Sequence, residues 1–423
     1  MKRSTFKTAA VAAGTVALVA ALAACAPAAQ EPAAAPSGGE SDAPAAAAPA
    51  ETPEPDSFGV VVAESWKDIY PNEYQTYMAN ESNSPQGKQD YLTEYPELVT
   101  MYAGYGFAKG YDEAAGHPYS LQSVAETPRV NENTLANCIT CKTPQYTAMV
   151  NSEGDSAYQK PFAEVLMQMT EPISCYNCHE NDPTKTTVTQ KFFVNSMGSD
   201  VDKVSTDSQV CGQCHNEYYF APETKATTNP YTGLEGMTAE AILAYYDEMG
   251  FKDWEHTETG APMLKAQHPE FETIYGGAQS SMAKQGYSCS DCHMGTTKNA
   301  DGKEFDNHNW SSPLDNEELI ANDCSQCHAD IKAEVAAKQK VAIDRVNSIG
   351  NKLVTLNNKL SEIVANGSMG EDQLNKLRDL NRTAQFYWDW VMVENSDGAH
   401  NSALAQDTLN KSEAAVDQAL AQI

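Results

Sequence analysis

Ten of the eleven cysteines fall into five pairs of the form Cys-x-x-Cys: Cys138/Cys141, Cys175/Cys178, Cys211/Cys214, Cys289/Cys292 and Cys324/Cys327. A histidine follows four of the pairs at once: His179, His215, His293 and His328. Two thiols with an imidazole next in the chain form the attachment motif of c-type haem, in which the thiols add across the vinyl groups and the imidazole becomes the proximal iron ligand. Structural zinc would need a second pair or spaced histidines to complete four ligands. A disulfide scaffold explains paired cysteines but not four adjoining histidines. Covalent haem at these motifs is the expectation, and the chemistry is electron transfer or redox catalysis.

The fifth pair breaks the pattern, because Cys138-Ile139-Thr140-Cys141 is followed by Lys142. One reading is a degenerate or disulfide-forming pair. The other is a haem whose proximal ligand is a lysine amine. A desolvated lysine gives up its proton readily, and coordination itself releases the proton. A different ligand on one haem of five points to a task other than carrying electrons.

From about Tyr70 to the C-terminus the chain resembles the pentahaem cytochrome c nitrite reductases that form ammonium. The likeness rests on the Cys-Ile-Thr-Cys-Lys motif, Cys211-Gly-Gln-Cys-His-Asn-Glu-Tyr-Tyr-Phe220 and Pro262-Met-Leu-Lys-Ala-Gln-His-Pro-Glu270. It extends to Gly116-His117-Pro118 with Glu126-Thr127-Pro128-Arg129, to Phe386-Tyr-Trp-Asp-Trp390 and to Glu394-Asn-Ser-Asp-Gly-Ala-His400. The resemblance implies that the Lys142-ligated haem keeps its distal side open for nitrite, with Arg129, Tyr218 and His268 around the opening. Arginine supplies a permanent charge and a planar donor fork for an oxyanion. Histidine can donate protons near neutral pH, and the Tyr218 hydroxyl can position an intermediate. Alternatively, Tyr218 packs near its own haem and Arg129 pairs with a propionate.

The resemblance also implies one Ca2+ held by the side chains of Glu217 and Gln267 and the backbone carbonyls of Tyr218 and Lys265, an all-oxygen set suited to a hard cation. It assigns His117 to the third haem along the chain, His308 to the second and His400 to the fourth. With His268 kept for catalysis, the fifth haem lacks a histidine at the expected place, which Met282 occupies within Ser280-Ser281-Met282-Ala283. Methionine is an accepted axial ligand that raises the haem potential. The alternatives are that Met282 fills a gap in the packing, that His256 swings in, or that the haem is five-coordinate. The implied reaction is the six-electron reduction of nitrite, fed by a membrane quinol-oxidising multihaem cytochrome. A multihaem conduit to an extracellular acceptor is the alternative function.

The elements that must position these groups are mainly α: short helices and loops around five haems, then long C-terminal helices. Met237 to Gly250 reads as a helix, and Lys160 to Met169 as another with Pro161 in its first turn. Ile343, Val346, Ile349, Leu353, Leu356, Leu360 and Ile363 recur in steps of three and four, which predicts a long amphipathic helix over Ile331 to Asn366. Gly367 and Gly370 break it. Glu371 to Glu394 and Ser402 to Ala421 form two more. The pentahaem domain is expected over 58–330, and the helices of 331–423 resemble a homodimer interface.

Ahead of this body, Lys2, Arg3 and Lys7 precede a short apolar run from Ala9 to Ala23, which ends in Leu22-Ala23-Ala24-Cys25. This reads as a lipoprotein signal with Cys25 as the acylated residue, so the chain is expected to be exported and lipid-anchored. Residues 26–57, almost all Ala, Pro, Glu, Gly and Ser, read as a disordered tether. The formal charge of −30 argues against a nucleic-acid partner, which requires a basic footprint.

Overall fold

The computed structural model describes residues 52–83, 88–114 and 116–423; Cys25 and the tether as far as residue 51 lie outside them. Among the described residues the architecture is mainly α, with four two-stranded antiparallel ribbons as the only sheets. The ribbons are minimal, such as Tyr219–Phe220 on Thr227–Thr228 and Trp254–Glu255 on Pro262–Met263. Two strands bury too little surface to be stable alone. They act as clasps that fix the loops carrying Glu217, Tyr218 and Lys265.

Helix α1 (Pro71–Asn83) positions a distant loop. Thr76 Oγ1 accepts from the His308 N–H at 3.0 Å, and the Asn80 amide spans the same loop, donating to the His308 carbonyl and accepting from Trp310 N–H. Helix α2 (Pro144–Glu153) begins directly after Lys142: Thr143 caps it by accepting from Gln145 N–H, and Pro144 takes the first helical position. The Gln145 side chain then donates to Asp56 Oδ2 at 2.7 Å and accepts from Thr170 N–H. Asp56, which composition assigns to the tether, is thereby tied to the body.

Helix α3 (Ala239–Met249) lies within the expected span, capped by the Thr238 hydroxyl and ended by Gly250 in the left-handed region. The helix expected over Lys160 to Met169 shrinks to Phe162–Leu166, because Pro161 is extended and caps the helix instead of entering its first turn.

The C-terminal part is three long helices, α4 (Ile331–Asn366), α5 (Glu371–Met392) and α6 (Ser402–Leu420). The apolar stripe of α4 buries Val346, Ile349, Leu353, Leu356 and Leu360 against its two partners. Trp388 of α5 is fully buried and its indole N–H donates to the Val346 carbonyl at 2.7 Å. Gly350 permits this approach, since a Cβ there would stand 3.2 Å from the indole ring. Deeper in the bundle Asn357 and Asn381 satisfy each other through reciprocal amide bonds. The first turns of α4, Ile331 to Val341, bury no side chain.

From Ala50 onward the chain is one compact unit, so residue 330 marks a change of architecture and not a gap. Arg382 is the principal polar tie across that change. Its guanidinium, 5% exposed, donates to Asp247 of α3 and to the carbonyls of Phe251 and Pro262. Among the described residues no helix is long and apolar enough to cross a membrane. Replacing Arg382 with Met leaves two buried carbonyls without donors, and the expected loss is about 2 kcal/mol. A thermal melt of the haem-loaded variant checks this: a lowered midpoint with an unchanged visible spectrum is the expected result.

Candidate functional site

Each Cys-x-x-Cys-His motif sits on one tight turn, and that local fold puts its three groups on the same side. Cys175–His179 and Cys289–His293 are single helical turns: Ser174 N–H donates to the Asn177 side chain at the first, and a capping box in which Ser288 and Asp291 exchange hydrogen bonds opens the second. At the other two motifs, His215 N–H returns to the Cys211 carbonyl and His328 N–H to Cys324. Residues three and four apart share a helical face, so both thiols and the imidazole point together. None of the ten described cysteines forms a disulfide.

The distal candidates face these turns as ring pairs. The ring centres of His179 and His308 are 6.3 Å apart, those of His117 and His215 6.2 Å, and those of His293 and His400 6.0 Å. A metal bound to two imidazoles stands about 2 Å from each nitrogen, with each ring centre about 1 Å further back, so the centres fall about 6 Å apart. The spacing fits an iron atom between each pair.

The unused nitrogens are held as a metal ligand requires. His179 Nδ1 meets the Lys185 carbonyl at 2.7 Å, His293 Nδ1 the Ser311 carbonyl at 3.1 Å and His308 Nδ1 the Asp306 carbonyl at 2.9 Å. His328 and His400 use the carboxylates of Glu334 and Glu394, at 2.8 and 2.6 Å. In all five, Nε2 is directed away from that bond and available to a metal. Trp310, unremarked in the sequence, stands edge-on to His117 at 4.6 Å and braces it beside His308. A cavity of about 260 Å³ opens beside Cys292 and His293, lined by Asn307, Ser311 and Asn316.

His256 does not belong to this set. It is buried, its Nε2 meets the Thr100 carbonyl at 2.9 Å, and its Nδ1 accepts from Glu258 and Thr259 N–H. Both nitrogens are used to shape a turn, so the reading in which it reaches the fifth haem has no geometric support. Met282 lies on the short helix Ser281–Lys284 with 36% of its surface exposed.

The lysine motif lies on a turn of its own. Lys142 N–H bonds to the Ile139 carbonyl, and its carbonyl accepts from the Ser120 hydroxyl. Among the described residues its amine pairs with no carboxylate. Arg129 lies near Cys138, whose thiol is pushed up by burial and pulled back by the Arg129 and Lys142 charges. The guanidinium rests 4.0 Å from the centre of the Phe107 ring and donates to the Gly110 carbonyl at 2.8 Å. The Lys265 ammonium meets the same ring at 4.9 Å. Tyr218 adjoins this group: burial pushes the Tyr105 hydroxyl well up, Asp253 and Tyr218 add to the shift, and Arg129 opposes it.

His268 stands with its ring centre 6.2 Å from that of His215. The Glu270 carboxylate, 3.7 Å from His215 Nδ1, interacts with both rings. His215 thus stands between His117 and His268, at 6.2 Å from each ring centre.

Beside the pocket, Glu217 is fully buried, accepting from Tyr246 OH at 3.0 Å and from Gln267 N–H at 2.6 Å. Burial drives its carboxyl well above the usual range, and nearby Glu272 and Asp253 push it further. The Gln267 amide meets the Lys265 carbonyl at 3.1 Å. The Glu217 carboxylate, the Gln267 amide and the Lys265 carbonyl lie side by side, an oxygen-rich setting whose chemistry suits a hard cation. The described residues hold no group of three His, Cys, Asp or Glu side chains that could hold a metal, so any such site would rely on carbonyl and amide oxygen.

The thiols also give an order. Cys141 and Cys214 are within hydrogen-bonding reach, as are Cys211 and Cys289, while Cys292 feels the charge of Cys324. Cys178 acts electrostatically on both Cys211 and Cys214. The third motif therefore adjoins the first, second and fourth, and the fourth leads to the fifth.

These motifs on a mainly α scaffold with facing histidines define a multihaem c-type cytochrome. The chain belongs to the cytochrome c552 family, whose model matches residues 63–423. It is 32% identical to the cytochrome c nitrite reductase subunit NrfA of Nitratidesulfovibrio vulgaris, over 82% of this chain and 76% of that protein. It is 33% identical to cytochrome c-552 of Parabacteroides distasonis, over 78% of this chain and 70% of the relative. Among solved structures, cytochrome c nitrite reductase from Desulfovibrio desulfuricans, described as a catalytic subunit with two calcium sites, aligns with a TM-score of 0.77 and 28% identity over 86% of each chain.

Phe107, Trp310 and the carboxylates of Glu334 and Glu394 are parts of the site that sequence reasoning did not assign. Glu394 lay within a quoted motif, and its six-residue offset from His400 was the available signal. His256→Leu is expected to lower stability by about 2 kcal/mol, since it strands the Thr100 carbonyl and two amides. Thermal melting checks the loss, and an unaltered low-spin haem spectrum checks that no iron has lost a ligand.

Proposed function

We propose that the chain reduces nitrite to ammonium at the site bounded by Lys142, Arg129, Tyr218 and His268. The observation that carries the reading is the asymmetry of the five motifs. Three bring two imidazoles to an iron-sized spacing. The lysine motif is instead approached by a guanidinium held half-buried on an aromatic shelf. A pure electron conduit has no use for that cation, whereas an anionic substrate needs one in a chain of net charge −30. The names of the family relatives point to the same reaction.

The haem at the lysine motif, when bound, supplies the iron that binds and reduces nitrite. Lys142 serves as its proximal ligand, with the amine deprotonated on coordination. Arg129 attracts the anion and offers its donor fork to the oxygens. His268 would supply protons to the substrate oxygens, and Tyr218 would offer its hydroxyl to orient the substrate. The balance requires six electrons and eight protons for each nitrite, giving ammonium and two waters. Glu217, Gln267 and the carbonyls of Tyr218 and Lys265 hold Ca2+, which fixes the two loops bearing Tyr218 and His268.

His117, His308 and His400 would share the haems of the motifs ending in His215, His179 and His293, whose rings they face. With His256 committed to its turn and His268 to substrate, no histidine remains for the haem at His328, and Met282 is its proposed partner. Donation of electrons by a membrane quinol-oxidising cytochrome, a homodimer built on α4 to α6, and an anchor at Cys25 complete the proposal. Supporting these are the unburied start of α4 and the lipobox sequence.

Reduced viologen consumed per nitrite, with ammonium quantified, tests the reaction. A ratio near six electrons is expected, and electron uptake without ammonium would favour a conduit. Arg129→Gln should lower kcat/KM for nitrite about a hundredfold with haem content intact, a loss typical of one electrostatic donor. At the fifth haem, a thioether-to-ferric charge-transfer band in the red should disappear in Met282→Ala. An oxidised wild-type spectrum without that band counts against methionine ligation.

A further inference from the structure

The imidazoles facing the motifs differ in what holds Nδ1, and the difference is electrical. At the second motif both partners are backbone carbonyls, those of Lys185 and Asp306. At the fourth motif His293 also has a carbonyl, from Ser311, but His400 has the Glu394 carboxylate at 2.6 Å. Glu394 is 3% exposed. Its second oxygen accepts from the Ser396 hydroxyl at 2.5 Å, and Ser396 Oγ accepts in turn from His400 N–H at 2.9 Å. Elsewhere the arrangement is weaker. Glu334 bonds His328 at 2.8 Å, but its side chain is 42% exposed and screened by water. Glu270 approaches His215 Nδ1 only to 3.7 Å.

A buried carboxylate on Nδ1–H draws the proton toward itself and enriches Nε2 in electrons. An electron-rich ligand stabilises ferric over ferrous iron, so the haem it serves takes up an electron less readily. We propose that Glu394 is a positioning residue that, through His400, makes the fourth haem a weaker electron acceptor than the second. The inference rests on the reading in which His293 and His400 ligate that haem. Since the fourth motif adjoins Cys211 on one side and Cys324 on the other, the effect sets a thermodynamic step between the third and fifth haems. Electrons on the catalytic side of the step are kept from draining toward the fifth haem.

Spectroelectrochemical titration of the haem-loaded protein, with electron paramagnetic resonance to separate the haems, tests this. Glu394→Gln keeps the shape and removes the charge. One haem should rise in midpoint by at least a tenfold change in its reduction equilibrium, 59 mV for one electron, while the others stay. Ser396→Ala removes the hydroxyl that shares the carboxylate's charge, so the same haem should shift the opposite way by a few-fold.

A residue that merely props His400 in place would not give opposite signs. An unmoved midpoint in Glu394→Gln with the haem still low-spin, or shifts of the same sign in both variants, overturns the proposal. If Glu394→Gln releases His400 and leaves a high-spin haem, Ser396→Ala decides alone: a downward shift supports the role and an unmoved midpoint overturns it. Haem counting on the same samples separates the two levels. Fewer than five haems in the unaltered protein overturns the five-haem reading, whereas five haems with unmoved midpoints overturns only the role of Glu394.

Discussion

An imidazole has two nitrogens, and when a metal takes one, the group that holds the other fixes the ring's orientation. That constraint organises this molecule. Five of its histidines have Nδ1 bound to a carbonyl or carboxylate, and three facing pairs bring together rings from distant parts of the chain. The supporting structure is arranged to hold them. Helix α1 offers Thr76 and Asn80 to the His308 loop, while Ser396 fixes the backbone of His400. Before residue 331 the described residues form only two-stranded ribbons and helices of modest length, so long-range order there comes from side-chain packing and side-chain hydrogen bonds and not from an extended sheet. Haem coordination between such pairs would supply cross-links that the secondary structure does not, and binding energy then becomes folding energy.

The acidic balance has a counterpart inside. Burial pushes the carboxyl of Glu272 up to about 8 and that of Asp389 up to about 8, and raises Asp253 to about 6. Lys265 and Arg382 oppose the Asp253 shift, and Lys265 opposes that of Asp389. Shifted this far, Glu272 and Asp389 stay largely protonated at neutral pH, so burial removes negative charge from the interior instead of storing it. The Arg129 and Lys265 cations on the Phe107 ring therefore face fewer opposing charges than the formal −30 suggests.

How much of this was legible depended on whether the information was local. The long helices were readable because periodicity and terminal glycines are local: α4 spans the expected Ile331 to Asn366, and α5 and α6 end within a residue or two of expectation. The haem motifs were readable because both thiols and the imidazole lie on one turn. What holds the imidazoles was not. The acceptors at Lys185, Asp306 and Ser311 are backbone carbonyls, which any residue type provides. His256 looked like a spare ligand because a histidine consumed by backbone groups has the same one-letter code as a free one. Pro161 misled in another way, since proline is as acceptable just before a helix as inside its first turn.

The order of the thiols gives the molecule a direction. Its third motif adjoins three others, the lysine motif among them. At the opposite end Cys327 is exposed and His328 leads directly into the unburied first turns of α4. Exposure lowers the cost of handing an electron to a partner, while burial strengthens every charge acting on a bound anion. Such an arrangement would separate exchange with a partner, at the most exposed attachment, from chemistry beside the odd lysine.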